Sequence, residues 1–242
     1  MRNLNPSSVF EAFSEINRVP RPSKKEDKMM EYLLEVGQSL GLETQRDEIG
    51  NVVIRKPATP GMEDRPIVVL QRHMDMVCEK NEGVEHDFAK DPIKYVIEDG
   101  WMIAPDTTLG ADCGIGIAAQ LALLDSDMPC GKIECLFTTS EETGLDGAMA
   151  LEPGFFTGKV LLNLDSEEEG VFLTGCAGGM RCDVTIPLTA TVRQGDLISV
   201  SIKGLIGGHS GDKIGTGRPS ANVLMGRLLD GLRKKIDFSI SS

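Results

Sequence analysis

Four stretches of this sequence carry residue types able to hold a cation or move a proton. His73-Met74-Asp75 sets an imidazole and a carboxylate two residues apart, and Ser140-Glu141-Glu142 pairs two carboxylates. Asp165 opens the acidic run Asp165-Ser166-Glu167-Glu168-Glu169. Asp112 stands inside the glycine-rich stretch Leu109-Gly110-Ala111-Asp112-Cys113-Gly114-Ile115-Gly116. Four or five carboxylates gathered at one place repel each other and lose solvation, so some must take up protons or share a cation. One His with Asp and Glu suits zinc or manganese. In His73-x-Asp75 the carboxylate can orient the imidazole and fix its tautomer. Neighbouring glutamates on an extended stretch point to different sides, so one of Glu141 and Glu142 can ligate metal while the other acts as a general base toward water. Asp112 at a helix start could offer both oxygens and bridge two ions.

Each stretch also has a plainer reading. His-x-Asp pairs are common at strand ends, paired glutamates usually form a solvated charge patch, and 165–169 could be only an acidic loop. A glycine-rich turn before a helix could bind phosphate, since helix N-termini attract anions, but Asp112 in its middle would repel one. His86, in Glu85-His86-Asp87-Phe88, reads as a surface residue. His209, in Gly207-Gly208-His209-Ser210-Gly211, reads equally as an ordinary loop histidine or as a donor that contacts substrate. The metal reading rests on coincidence: three strand-end placements and one glycine-turn aspartate.

The strand ends come from hydropathy. Ile67-Val68-Val69-Leu70, Ile133–Thr138 and residues 160–164 are short continuous apolar runs, expected of strands buried on both faces. They run into His73, Glu141-Glu142 and Asp165, and in open α/β sheets ligands bind outside the carboxyl ends of the strands. Residues 115–124 have helical period. The alternation implies an α/β three-layer sandwich with a mostly parallel sheet. A first helix is expected from about Asn5 with Pro6 at its first position. A second follows the capping-box pattern Ser23-Lys24-Lys25-Glu26 and stops at Gly41. Strands are expected at 43–47 and 51–56, and a hairpin turns at Asp99-Gly100. Past Gly178 the texture becomes antiparallel, with strands expected at 181–186 and 197–203, a helix over about 219–235, and a further strand begun at 238–240. The expected division is one domain over 1–177 and the beginning of a smaller α+β domain over 178–242. So few elements are thin for an independent domain, so either the second domain is small or the chain is a fragment.

Composition narrows the function classes. With 25 Lys+Arg against 37 Asp+Glu the net charge is −12, and no basic cluster exceeds Arg233-Lys234-Lys235, which argues against nucleic acid or an anionic membrane as partner. No stretch approaches the ~18 continuous apolar residues of a spanning helix. The N-terminus lacks the apolar region of a secretory signal, so a cytoplasmic location is expected. Cys78, Cys113, Cys130, Cys135, Cys176 and Cys182 fall at irregular spacings with no C-x-x-C pair. They read as reduced, mostly buried thiols rather than a disulfide scaffold or a structural zinc site.

Taken in order, Gln71-Arg72-His73-Met74-Asp75-Met76-Val77, Thr108-Leu109-Gly110-Ala111-Asp112, Thr139-Ser140-Glu141-Glu142-Thr143-Gly144, Asn163-Leu164-Asp165-Ser166-Glu167-Glu168-Glu169-Gly170 and Gly207-Gly208-His209-Ser210-Gly211 resemble the peptidase D group. These are the aminoacyl-histidine dipeptidases (cytosolic β-Ala-His or carnosinase-like) of the co-catalytic di-zinc exopeptidases. Gly175-Cys176-Ala177-Gly178-Gly179 adds a stretch typical of that subfamily, and the likeness runs through nearly the whole chain. The resemblance implies metal-dependent hydrolysis of Xaa-His dipeptides at a site with two Zn2+ ions, with Mn2+ or Co2+ as alternatives. Asp112 would bridge the ions, His73 and Asp165 would ligate one and Glu142 the other. Glu141 would be the general base and Asp75 the residue orienting His73. The resemblance further implies that 1–177 is the catalytic domain and that 178–242 begins a lid carrying a homodimer contact. His209 would reach a partner subunit's site and steady the developing oxyanion.

Two departures from that pattern matter. Proteins of this type are roughly twice as long, and the part that follows the lid carries a last histidine ligand of the second ion. Here only His73, His86 and His209 exist, so the chain looks truncated, and weak zinc binding and poor turnover alone are expected. Cys113 also follows Asp112 where a polar residue, often Asn, is expected, and its thiol could perturb the site or bind metal itself. A related amide hydrolase (aminoacylase or deacetylase) and a non-catalytic fragment serving binding or dimerisation are the competing readings.

Overall fold

The structure is a computed structural model and describes residues 4–240 except 167, 177, 179, 181, 191, 193 and 209–212. The chain divides into two units, Met1–Ala177 and Gly178–Ser242. The first opens with helices α1 (Ser7–Ile16) and α2 (Asp27–Ser39), followed by strands β1 (Glu43–Arg46), β2 (Val52–Lys56) and β3 (Val68–His73). A hairpin of β4 (Val96–Glu98) and β5 (Trp101–Ile103) precedes helix α3 (Ala111–Leu124), strand β6 (Ile133–Thr138), the short helix α4 (Asp146–Met149) and strand β7 (Val160–Asn163).

The main sheet has the order β1-β2-β6-β3-β7. β3 pairs in parallel with both β6 and β7, whereas β2 is antiparallel to β1 and to β6, so four of the five strands point the same way. Alternation along the strands sends successive side chains to opposite faces. Ile54, Cys135 and Phe137 join Phe13, Ile16, Met29, Leu33, Ile117 and Leu121 in the core under α1, α2 and α3. Val53, Val69 and Leu136 pack with Phe155 on the other side. Because both faces of the central strands are covered, β6 is buried at every position.

Three expectations are corrected within this unit. Pro6 is the residue before α1 rather than its first residue. α2 starts at Asp27 after Glu26 and has no side-chain cap, because Ser23 and Glu26 are engaged elsewhere, as described below. β7, expected to be buried on both faces, is an edge strand with Val160, Leu161 and Leu162 each 42–46% exposed. The second unit contains a 3-10 turn (Ile214–Thr216) and helix α5 (Ala221–Arg233), whose N-cap Ser220 accepts a bond from the Val223 N–H. Among the described residues, 182–186, 197–203 and 238–240 form no strand. A strand exists only with a hydrogen-bonding partner, and Val184, Ile186, Leu197 and Ile198 stand 71–88% exposed.

Candidate metal centre

Strand register brings the acidic residues together. Parallel pairing sets His73 beside Thr138 and Gln71 beside Asn163, so the turn after β6 and the residues after β7 emerge at the same sheet edge as His73. The glycine turn before α3 delivers Asp112 to that edge. Asp112 and Cys113 have non-helical backbone angles, and the regular helix begins beyond them.

His73 is 1% exposed and lies among carboxylates. Its Nδ1 is 3.2 Å from Asp75 Oδ1, and its Nε2 is 3.1 Å from Asp112 Oδ1 and 3.7 Å from Asp165 Oδ2. Burial works against a charged imidazole, but the bonds to Asp112 and Asp75 outweigh it and push the His73 pKa up to about 10. The bond from His73 lowers the Asp112 pKa. Burial raises that of Asp165, with the Asp112 charge adding to it. Glu141 and Glu142 are raised as well, first by burial and then by the surrounding carboxylates. Crowding of desolvated carboxylates thus favours the protonated forms of His73, Asp165, Glu141 and Glu142.

Ligand atoms of His73, Asp112, Cys113 and Asp165 all lie within 4.8 Å of one another, and so do those of His73, Glu141 and Glu142. Tetrahedral donors around one zinc sit roughly 3.3–3.6 Å apart, given Zn–N and Zn–O near 2.0–2.2 Å. The His73–Asp112 and His73–Asp165 separations bracket that value. One imidazole nitrogen with several carboxylate oxygens is also a donor set that zinc, cobalt and manganese accept. By donor chemistry and spacing, these residues fit a divalent cation.

Asp75 organises the centre. Its carboxylate, fully buried, accepts bonds from the Ser23 hydroxyl (2.7 Å) and from the Glu141 (3.0 Å) and Glu142 (3.2 Å) amides besides contacting His73. Burial opposes its charge, yet those bonds hold its pKa below the usual value. The 141–144 segment is a turn rather than extended chain, entered through Ser140 at φ +51. The turn lets both glutamates approach His73 instead of facing apart.

Several positioning residues escaped the sequence reading. Buried Arg21 donates to the carbonyls of Met74, Asp75 and Gly110, tying the His73 strand end to the Asp112 turn. Glu26 accepts bonds from the Ser140 N–H (2.8 Å) and hydroxyl (2.9 Å) instead of capping its own helix. Arg72 Nη1 lies 3.4 Å from Asp165 Oδ1. The glycine spacing was the available signal. A Cβ on Gly110 or Gly114 would meet the Arg21 guanidinium within 2.5–2.7 Å, and one on Gly116 would meet Arg72 Nε at 2.0 Å. The glycines make room for two arginines.

Beside the centre lies a cavity of about 230 Å3, lined by Gln71, Thr138, Thr139, Asn163, Glu141 and Asp165 among others. Glu141 and Asp165 thus border both the cation cluster and an open space.

The sequence pattern of Peptidase family M20/M25/M40 matches residues 69–215, more than half of the chain and all of the cluster just described. The chain belongs to this family. It is 42% identical over 243 residues to the cytosol non-specific dipeptidase of Escherichia coli (strain K12), covering 99% of this chain and 50% of that protein. A crystal structure of aminoacylhistidine dipeptidase from Vibrio alginolyticus is similar with a TM-score of 0.72 and 43% identity, over 97% of this chain and 49% of that one. A tripeptidase structure from Staphylococcus aureus follows at a TM-score of 0.58 and 26% identity, over 68% of this chain and 44% of that one. The chain spans about half the length of the first two relatives.

Within the M20/M25/M40 chain, six of the seven expected site residues, His73, Asp75, Asp112, Glu141, Glu142 and Asp165, come to one sheet edge. The seventh, His209, lies outside the described residues. His86 is elsewhere, half-buried with its ring 4.4 Å from that of Phe88. Among the described residues, no helix is long and apolar enough to cross a membrane.

Proposed function

We propose that the protein containing this chain is a metal-dependent peptidase that hydrolyses dipeptides of the Xaa-His type. The observation that carries the reading is the convergence of one buried imidazole with five carboxylates at the carboxyl edge of a parallel sheet, next to a cavity. The names of the two relatives above 40% identity, a non-specific dipeptidase and an aminoacylhistidine dipeptidase, support the substrate class.

In this reading His73, Asp112 and Asp165 would hold one divalent cation, and Glu142 with Asp112 would hold a second. Zinc is the proposed ion. Cations held there would supply Lewis acidity for the scissile carbonyl and for the attacking water. The chain's own residues do the rest. Glu141, on the cavity wall with its pKa raised, takes the water proton and returns it to the leaving amine. Asp75 accepts from His73 Nδ1–H, which leaves Nε2 free as a ligand. Arg21 and Glu26 hold the two loops at fixed separation, so the base and ligands meet the substrate without rearrangement.

The described residues supply one imidazole to the centre, so the chain alone is proposed to bind its first zinc more tightly than its second and to turn over slowly. The homodimer through residues 178–242, the donor role of His209 and a cytoplasmic location belong to the same proposal.

The test is hydrolysis by the zinc-loaded chain of Xaa-His dipeptides beside N-acyl amino acids. Dipeptide cleavage that falls about 10²–10⁴-fold in Glu141→Gln, as expected for a lost general base, supports the reading. Faster cleavage of N-acyl amino acids makes the protein an aminoacylase or deacetylase. A Glu141→Gln rate equal to the parent's removes Glu141 from the mechanism.

A further inference from the structure

We propose that the Cys113 thiol is itself a donor to the cation held by His73, Asp112 and Asp165, giving the centre a sulfur ligand and a preference for thiophilic ions. The inference rests on the metal-centre reading above and adds a ligand to it. Cys113 Sγ lies within 4.8 Å of donor atoms on all three of those residues, and the side chain is 2% exposed, so it faces protein rather than solvent. The backbone at Asp112 and Cys113 departs from the helix that follows, so consecutive side chains both join the cluster, which a regular first turn would spread about the axis.

A second observation concerns Arg72. Its guanidinium reaches both Asp165 and Cys113, and its Nε is buried with no hydrogen-bond partner. Burial nonetheless pushes the metal-free thiol's pKa up to about 12, so the sulfur gives up its proton only to an arriving metal. On binding, the Cys113 S–H bond breaks, its proton leaves to solvent, and a sulfur–metal bond forms. No oxidant or reductant is needed. Sulfur selects zinc, cobalt and cadmium over manganese and magnesium.

Cobalt titration of the metal-free chain tests this without any assay of turnover. The expected result is visible d–d absorption, reporting cobalt bound, together with an intense near-ultraviolet sulfur-to-cobalt charge-transfer band. Cys113→Ser and Cys113→Ala should keep the first and lose the second, and Cys78→Ser should keep both. Cys113→Ser should also weaken cadmium binding about tenfold or more while leaving manganese nearly unchanged. Visible bands without the near-ultraviolet band in the parent chain would overturn the sulfur ligand and leave the metal centre standing. A near-ultraviolet band that survives both Cys113 variants would overturn it equally. Absence of any cobalt binding by the folded parent would overturn the metal-centre reading with it. Should the serine variant fail to fold, the alanine variant and the cadmium-to-manganese preference of the parent decide.

Discussion

The Glu141 backbone N–H donates to Asp75 Oδ1 at 3.0 Å, although 66 residues separate the two. That carboxylate also contacts His73 Nδ1. One buried group therefore sets the position of a proposed ligand and of the proposed base together.

Replacing that group should loosen both. In Asp75→Asn the amide oxygen can still accept, but one acceptor oxygen becomes a donor facing the Glu142 N–H or the Ser23 hydroxyl. Zinc affinity is expected to fall about 10–100-fold, the usual cost of losing a partner behind a ligating histidine. Competition titration with a chromophoric chelator measures it. Unchanged affinity would mean that His73 needs no orientation by Asp75.

Stability of the metal-free chain should depend on pH through His73. Its folded pKa, about 10, exceeds the ordinary 6.5. A base raised on folding stabilises fully below its unfolded pKa and loses that contribution as pH rises through the folded value. The melting temperature of the metal-free chain should therefore decline between about pH 6.5 and 10, and His73→Gln should flatten that decline. Melts in chelator across this range provide the check. A melting temperature that rises over the same interval would contradict the protonated imidazole.

Arg21 should matter to the fold as much as to the site. Arg21→Met removes a donor from three carbonyls and leaves the Gly110 carbonyl with only its bond from the Gly114 N–H. Bonds to charged groups are worth about 1.5–3 kcal/mol each, so a loss of at least about 3 kcal/mol in urea unfolding is expected. A loss under 1 kcal/mol would show the carbonyls satisfied another way.

Gly116→Ala places a Cβ 2.0 Å from Arg72 Nε. Both groups are buried, so Arg72 is expected to move and to loosen its 3.4 Å contact with Asp165. Overpacking of this kind costs about 1–3 kcal/mol, and weaker zinc binding should accompany it. Calorimetry of zinc binding with urea unfolding separates the two effects, and an unchanged variant would mean that α3 yields instead.

Much of this arrangement was legible because strand ends and ligand-type residues coincide. The apolar run of β6 followed by Ser140-Glu141-Glu142, and the run of β3 ending at His73, needed only hydropathy and the rule that ligands gather at carboxyl edges. The arginines were not legible. Arg21 sits between two prolines in Val19-Pro20-Arg21-Pro22, a stretch that reads as a loop, and nothing local says that it is buried against Gly110 and Gly114. Ser23 and Glu26 form the spacing of a helix cap, and only long-range pairing turns them toward Asp75 and Ser140. The same limit applies to β7: apolar residues predict a strand, but whether neighbours cover both of its faces is a property of the whole sheet. Among the described residues, those of the strands expected at 181–186 and 197–203 form no ladder for a related reason, since β-type composition does not provide a partner.

The central claim is that His73, Asp112 and Asp165 surround a divalent ion. Crystals of the chain soaked in zinc, with diffraction recorded above and below the zinc absorption edge, address it most directly. The account predicts an anomalous peak bonded to His73 Nε2 and to carboxylate oxygens of Asp112 and Asp165. Zinc seen only at other positions, with these three side chains still hydrogen-bonded to one another, would contradict it.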